Sequence, residues 1–213
     1  NIETPPTLTV LRREAHLLHG RPAGDDAPAT AGHPTYATAI RLVDEDGRDV
    51  ADGEPGELIA RAPNVMSGYL DDPAATAAAL RDGWLHTGDV ARRSPDGLIT
   101  IVDRRKDVII SGGFNVYPRE VEDALFQHPA VRHAAVVGVP HEKWGEEVRA
   151  LVVLQEGAAP DAAALVEFVR QRKGSVAAPK SIEFTDAIPL TPLGKVDRKA
   201  IRARYWAGRA RGV

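Results

Sequence analysis

The chain contains no cysteine. That absence removes disulfide bonds, thiolate catalysis and cysteine-ligated zinc together, and it fits a reducing compartment. No apolar run approaches the roughly 18 residues needed to cross a bilayer, and no signal peptide opens the sequence. A cytoplasmic location without a transmembrane segment is therefore expected. Methionine is scarce too: the sequence starts at Asn1 and its single methionine is Met66. Such a chain reads as a fragment or processed piece of a longer product. An excess of positive charge is also missing. The formal net charge of −3 gives no reason to expect nucleic acid or an acidic membrane as partner. His86, His128, His133 and His141 lack metal-ligand spacing such as H-E-x-x-H and read as structural or solvated histidines. No G-x-S-x-G elbow or other nucleophile signature is present.

What remains is an ordinary globular composition, 43% hydrophobic and 27% charged over 213 residues. That length makes one large domain or two small ones, with a core that needs no staples. Residues 14–36 lack periodicity and read as an irregular loop. "ATAIRLVDEDGRDV" gives a strand and an Asp46-Gly47 turn, and "GELIARA" a second strand. "DDPAATAAALRDG" is punctuated as a helix, with Asp72 as cap, Pro73 at the first position and Gly83 past the end. After residue 105 the texture alternates. "DVII", "VRHAAVVGV", "VRALVVL" and "SIEF" read as strands. "YPREVEDALFQHP" and "DAAALVEFVRQRK" read as helices, the latter with Ala162, Leu165, Val166 and Val169 on one face. The last 19 residues carry seven Lys or Arg against one acid, which at helical spacing reads as a solvated face. The expectation is α+β: a mostly β part over 1–103, then a compact α+β part over 104–213.

Three strings could carry chemistry. In "GWLHTGD", Trp84 and Leu85 bury the segment and Asp89 follows Thr87-Gly88 at a turn. A carboxylate there can accept hydrogen bonds from vicinal ribose hydroxyls, or be a plain turn aspartate. In "SGGFNVYP", Gly112-Gly113 permit close ligand approach, or simply a turn between a strand and a helix. Arg104 offers a planar fork for phosphate or ribose oxygens, or is a surface arginine beside Asp103. The third string is "PLTPLGKVDRKAI", whose Gly194-Lys195 is no P-loop: Pro189 and Val196 stand where that motif needs glycine and a hydroxyl residue. Taken alone, Lys195 is a solvated turn lysine.

The strings together are more specific. "GELIARAPNVMSGYLDDPAATAAAL", "GWLHTGDVARRSPDG", "VDRRKDVIISGGFNVYPREVEDAL", "HPAVRHAAVVGVPHEKWGEEVRALVVL" and "PLTPLGKVDRK" occur in this order. Over residues 37–202 the chain resembles the C-terminal part of the AMP-forming acyl-CoA synthetases, in the adenylate-forming superfamily with luciferases and peptide-synthetase adenylation domains. "SGGFNVYPREVE" resembles the bacterial medium- and long-chain fatty acyl ligases. The resemblance implies the end of a large AMP-binding domain, with a β-rich, distorted barrel-like subdomain, followed by a small mobile lid domain. It also implies ATP, CoA and Mg2+, a carboxylic and most simply fatty acid substrate, and a large domain lying mostly before residue 1.

Residue by residue, the resemblance places Asp89 on the ATP ribose hydroxyls, Arg104 beside it on the nucleotide, and Lys106 at the interdomain hinge. Ser111 and Gly112 line the pantetheine tunnel, Arg170 faces the CoA phosphates, Lys195 enters the active site during adenylation, and Glu3 helps place magnesium. The chain departs from the family pattern at Ile2, where threonine is usual, and at "GSVAAPK", which replaces a Tyr-Lys pair. The phosphate loop and carboxylate pocket are absent, so residues 1–213 alone are expected to be inactive. Two rivals stand beside the ligase: a non-catalytic lid remnant or interaction module, and an adenylation domain delivering to a carrier protein.

Overall fold

A computed structural model describes residues 3–4, 7–13, 17–18, 21–22 and 30–208. Ile2 and most of the loop expected at 14–36 lie outside them. The chain divides into two compact units, Asn1–Arg105 and Lys106–Val213. The secondary structure is α+β, as the alternation of strand and helix signals implies.

In the first unit four two-residue strands come first: β1 (Thr9–Val10), β2 (Leu17–Leu18), β3 (Arg21–Pro22) and β4 (His33–Pro34). β1 pairs antiparallel with β4, and β2 with β3. A five-stranded antiparallel sheet follows, made of β5 (Ala39–Val43), β6 (Gly56–Arg61), β7 (Leu80–Arg81), β8 (Trp84–Arg93) and β9 (Ile99–Arg104). β8 is its spine. β6 runs along one side, and β7 and then β9 along the other. Leu42, Leu58, Ala60, Ala91 and Ile99 form the core of this unit.

The helix α1 (Pro73–Ala79) has the expected start, with the Asp72 carboxylate accepting from Ala75 N at 2.8 Å. Its end is earlier than expected. Leu80 and Arg81 leave the helix and pair with Leu85 and Trp84. Asp82-Gly83, with φ of 51° and 76°, is thus the two-residue turn of a hairpin rather than the tail of a helix. Local punctuation could not separate the two, because a Gly after a polar residue serves both.

The second unit opens with a 3-10 helix (Arg105–Asp107) that spans the break between units, so the strand expected at Asp107 starts only at Ile109. β10 (Ile109–Ser111) and β11 (Phe114–Val116) make a tight hairpin. Then come α2 (Pro118–Phe126), the long antiparallel pair β12 (Val131–His141) and β13 (Gly145–Leu154), and α3 (Ala162–Ala177). β14 (Ser181–Phe184) pairs parallel with β13, and α4 (Arg198–Ala203) closes the unit.

β12 shows how the sheet builds two faces. Ala134 and Val136 point to one side, where they pack with Val121, Leu125, Leu165 and Val169 of α2 and α3. Ala135, Val137 and Val139 point to the other and receive Ile201 of α4. The alternation is the period of a strand, and it runs apolar on both faces because both are covered.

Candidate active site

In the first unit the register of β8 against β9 sets Asp89 directly opposite Arg104. The bulge between Val90 and Ala91 falls next to that pair and re-aims the strand there. Arg104 Nε meets Asp89 Oδ1 at 2.9 Å, and Arg104 Nη1 donates to the Thr87 carbonyl at 3.3 Å. Thr87 Oγ1 accepts from Asp89 N at 3.1 Å and donates to the Leu58 carbonyl at 2.7 Å. Asp89 therefore stands inside a strand, not at a turn. Its side chain is 21% exposed while that of Arg104 is 51% exposed, so a half-buried carboxylate faces a cation that solvent can reach. Burial pushes the Asp89 carboxyl above its ordinary range; Arg104 opposes this and the Glu3 carboxylate adds to it.

Glu3 is held from two sides. Its carbonyl accepts from Met66 N at 2.9 Å, and its Oε1 accepts from the Tyr69 hydroxyl at 2.7 Å. That bond is the main reason the Tyr69 hydroxyl keeps its proton above the usual range. Glu3 Oε2 is buried without a hydrogen-bond partner. An oriented carboxylate with one unused oxygen fits a magnesium ion, which takes one or two carboxylates and fills its other positions with water and phosphate oxygens. Among the described residues no three His, Asp or Glu converge on a metal position, so the fit is to that sparse kind of site.

In the second unit Ser111-Gly112-Gly113-Phe114 is a two-residue hairpin, with Ser111 opposite Phe114. Gly112 and Gly113 have φ of 59° and 84°, the pair of positive values this turn demands. Ser111 is buried, and Gly112 N donates to the Trp144 carbonyl at 2.9 Å. A side chain at Gly112 would lie 3.5 Å from the indole of Trp144. Trp144 in turn stacks on His141, with ring centres 4.2 Å apart. Lys180, within 5.8 Å of the same indole, is held below its usual range by burial and by the charge of Arg170. Arg170 itself is exposed on α3, with Glu167 at 2.8 Å.

Lys195 sits at the end of a three-residue loop. Thr191 N donates to the Lys195 carbonyl at 2.7 Å, Gly194 N to the Thr191 carbonyl at 2.8 Å, and Lys195 N to Thr191 Oγ1 at 3.2 Å. Pro192 fits the first corner, and Gly194, at φ 74°, supplies the left-handed residue. The Lys195 side chain is exposed. Lys106 is the first residue of the second unit.

Asp89 and Arg104 are thus brought into contact, and Glu3 is close enough to bias Asp89. Lys106, Ser111, Gly112, Arg170 and Lys195 belong to the other unit. Sequence reading missed Tyr69, Thr87, Trp144 and Lys180 as partners of these residues. Trp144 and Lys180 stand in quoted strings, "HEKWGEE" and "APK", but only the fold brings Trp144 beside Gly112 and Lys180 beside Trp144.

Comparison with known proteins identifies the family. Residues 3–70 match the AMP-binding enzyme family, and residues 120–195 match the AMP-binding enzyme C-terminal domain. The chain belongs to the adenylate-forming AMP-binding enzymes. It is 47% identical over 219 residues to a medium/long-chain-fatty-acid–CoA ligase of Mycobacterium tuberculosis, covering 99% of this chain and 37% of that protein. It is 47% identical to a feruloyl-CoA synthase of Amycolatopsis, covering 95% of this chain and 40% of that one. The o-succinylbenzoate coenzyme A synthetase of Bacillus subtilis, solved with ATP and magnesium, superposes with a TM-score of 0.79 at 31% identity, covering 93% of this chain and 39% of its own. The chain therefore spans well under half the length of the relatives it matches. Among the described residues no helix is long and apolar enough to cross a membrane.

Proposed function

We propose that the protein containing this chain activates a carboxylic acid with ATP and transfers the acyl group to CoA. In the first step a carboxylate oxygen bonds to the α-phosphorus and pyrophosphate leaves. In the second the CoA sulfur bonds to the acyl carbon and AMP leaves. The observation that carries the reading is the Asp89–Arg104 pair at 2.9 Å, a half-buried acceptor for ribose hydroxyls beside a cation for nucleotide oxygens. Around it, Glu3 is suited to hold magnesium, which would neutralise phosphate charge. Ser111, Gly112 and the Trp144 indole offer a lining for pantetheine, and Lys180 and Arg170 offer charge for CoA phosphates. Lys195, a compact cation on a long stem, stabilises charge as the carboxylate meets the α-phosphate. A fatty acid is the proposed substrate, on the strength of the Mycobacterium tuberculosis relative; feruloyl-CoA synthase supports an aromatic acid as the alternative. The residues of this chain alone form no thioester in this reading, since they include no phosphate-loop motif.

The test is acid-dependent ATP–pyrophosphate exchange by the intact protein with a panel of fatty and aromatic acids, and thioester formation with free CoA. Lys195→Ala is expected to slow exchange by about 10²–10³, the usual worth of one preorganised charge. Conversion of supplied acyl-adenylate to acyl-CoA stays nearly unchanged. Absence of exchange with every acid would favour a non-catalytic module, and exchange without transfer to free CoA would favour a carrier protein as acceptor.

A further inference from the structure

Two arginines of the basic C-terminal stretch, Arg198 and Arg202, depart from the solvated face its composition implies. Arg198 Nη2 lies 2.7 and 2.6 Å from the two oxygens of buried Glu122 of α2, and Arg202 Nη1 lies 2.7 Å from buried Asp107. Both arginine side chains are themselves largely buried, at 19% and 16% exposure. Between them Ile201 is fully buried against β12, and that apolar burial docks α4. Trp206 Nε1 adds a bond to the Gly138 carbonyl at 3.0 Å.

This anchored helix begins three residues after Lys195. Asp197 caps it by accepting from Ala200 N at 2.9 Å, and Asp197 N donates back to the Pro189 carbonyl at 2.9 Å, closing the base of the Lys195 loop. The loop thus hangs from α4. Asp107, in turn, immediately follows Lys106, the residue at which the second unit begins.

We propose that Arg202 is a positioning residue for Lys195: its pair with Asp107 ties the helix that carries the Lys195 loop to the residue next to the interunit break. The Lys195 loop and the first residues of the second unit are then held as one piece. The proposal rests on Lys195 serving adenylation. A charge pair this buried is geometrically stiff, and a displacement of about 1 Å at a catalytic group costs roughly 10²-fold in rate.

The experiment uses the intact enzyme and both half-reactions. Arg202→Gln is expected to lower kcat for pyrophosphate exchange at least tenfold, with KM for ATP and the acyl-adenylate-to-thioester rate both within twofold of the parent. Arg202→Lys, whose ammonium can still meet Asp107, is expected to recover most of the loss. Because Arg202→Gln leaves a buried carboxylate unpaired, the double variant Arg202→Met/Asp107→Asn serves if the single one unfolds, and it should show the same selective loss. Lys199→Ala, on the exposed side of α4, should leave both rates alone. Equal slowing of the two half-reactions, or no change in exchange, would overturn the proposal. Lys195→Ala in parallel separates the failures: if it slows exchange while Arg202→Gln does not, only the positioning role falls; if it does not, the adenylation reading of Lys195 falls first.

Discussion

Asp89 shows at the scale of one residue how the role proposed for it is set against stability. Its carboxyl is pushed above the ordinary value of 3.8, chiefly by burial, so the folded protein holds that proton more tightly than the unfolded chain does. Stability from this group therefore falls as pH rises from 3.8 through the folded value, and at neutral pH the ionised carboxylate is a net cost. Asp89→Asn is expected to raise the unfolding temperature at pH 7, the gain vanishing as pH falls below the unfolded value. The same change should weaken ATP binding in the intact protein by about 1–3 kcal/mol, since a neutral amide replaces a charged acceptor for ribose hydroxyls. Calorimetric binding and melting curves across pH check both halves. Weaker stability at neutral pH, or unchanged ATP affinity, would count against the role given to Asp89.

Among the elements, the β10–β11 hairpin is constrained at its turn. Gly112 and Gly113 both stand at positive φ, and Gly112 is clamped by its bond to the Trp144 carbonyl. Gly112→Ala adds a Cβ at ordinary contact distance from the indole, so crowding is not the issue. The backbone is: a left-handed non-glycine residue costs about 1–2 kcal/mol. The expected result is a modest fall in melting temperature and slowed thioester formation from supplied acyl-adenylate, with pyrophosphate exchange kept. Loss of exchange and retention of thioester formation would reverse the assignment of this hairpin. α2 and α3 were legible in the sequence because their signals are local: Pro118 at the first turn, and Asp161 accepting from Ala164 N at 2.9 Å. α1 was legible at its start only. Its end is decided by Leu80 and Arg81 joining the sheet, a pairing that no window around them encodes.

For the molecule as a whole, the decisive feature is the break at Arg105–Lys106, with fixed residues on each side. Arg105 Nη1 lies 2.9 Å from Glu57 Oε2, which His86 Nδ1 also meets at 3.1 Å. Asp107 is fixed within the second unit by Arg202. Both chain neighbours of Lys106 are thus held within their own units, and Lys106 itself is the position proposed as the hinge. Lys106→Pro restricts φ at that point. In the intact enzyme one half-reaction, thioester formation, should be lost while adenylation is largely kept. Measured single-turnover rates that fall equally for both steps would remove the hinge role.

What the sequence determined by itself is whatever depends on neighbours along the chain: the α+β alternation, three helix starts, the Gly-Gly and Pro-Leu-Gly turns, and the ordered strings that mark the family. Backbone propensity and periodicity act over a few residues, so they can be read in a line. Only the tertiary structure decided that Asp89 faces Arg104 across a strand pair, that Glu3 is held by Tyr69, and that Arg198 and Arg202 are buried on Glu122 and Asp107. Those pairings join residues 15 to 95 positions apart. Strand register and helix docking bring them together, because a charge taken out of water on a buried face is tolerated where a partner from a distant segment meets it.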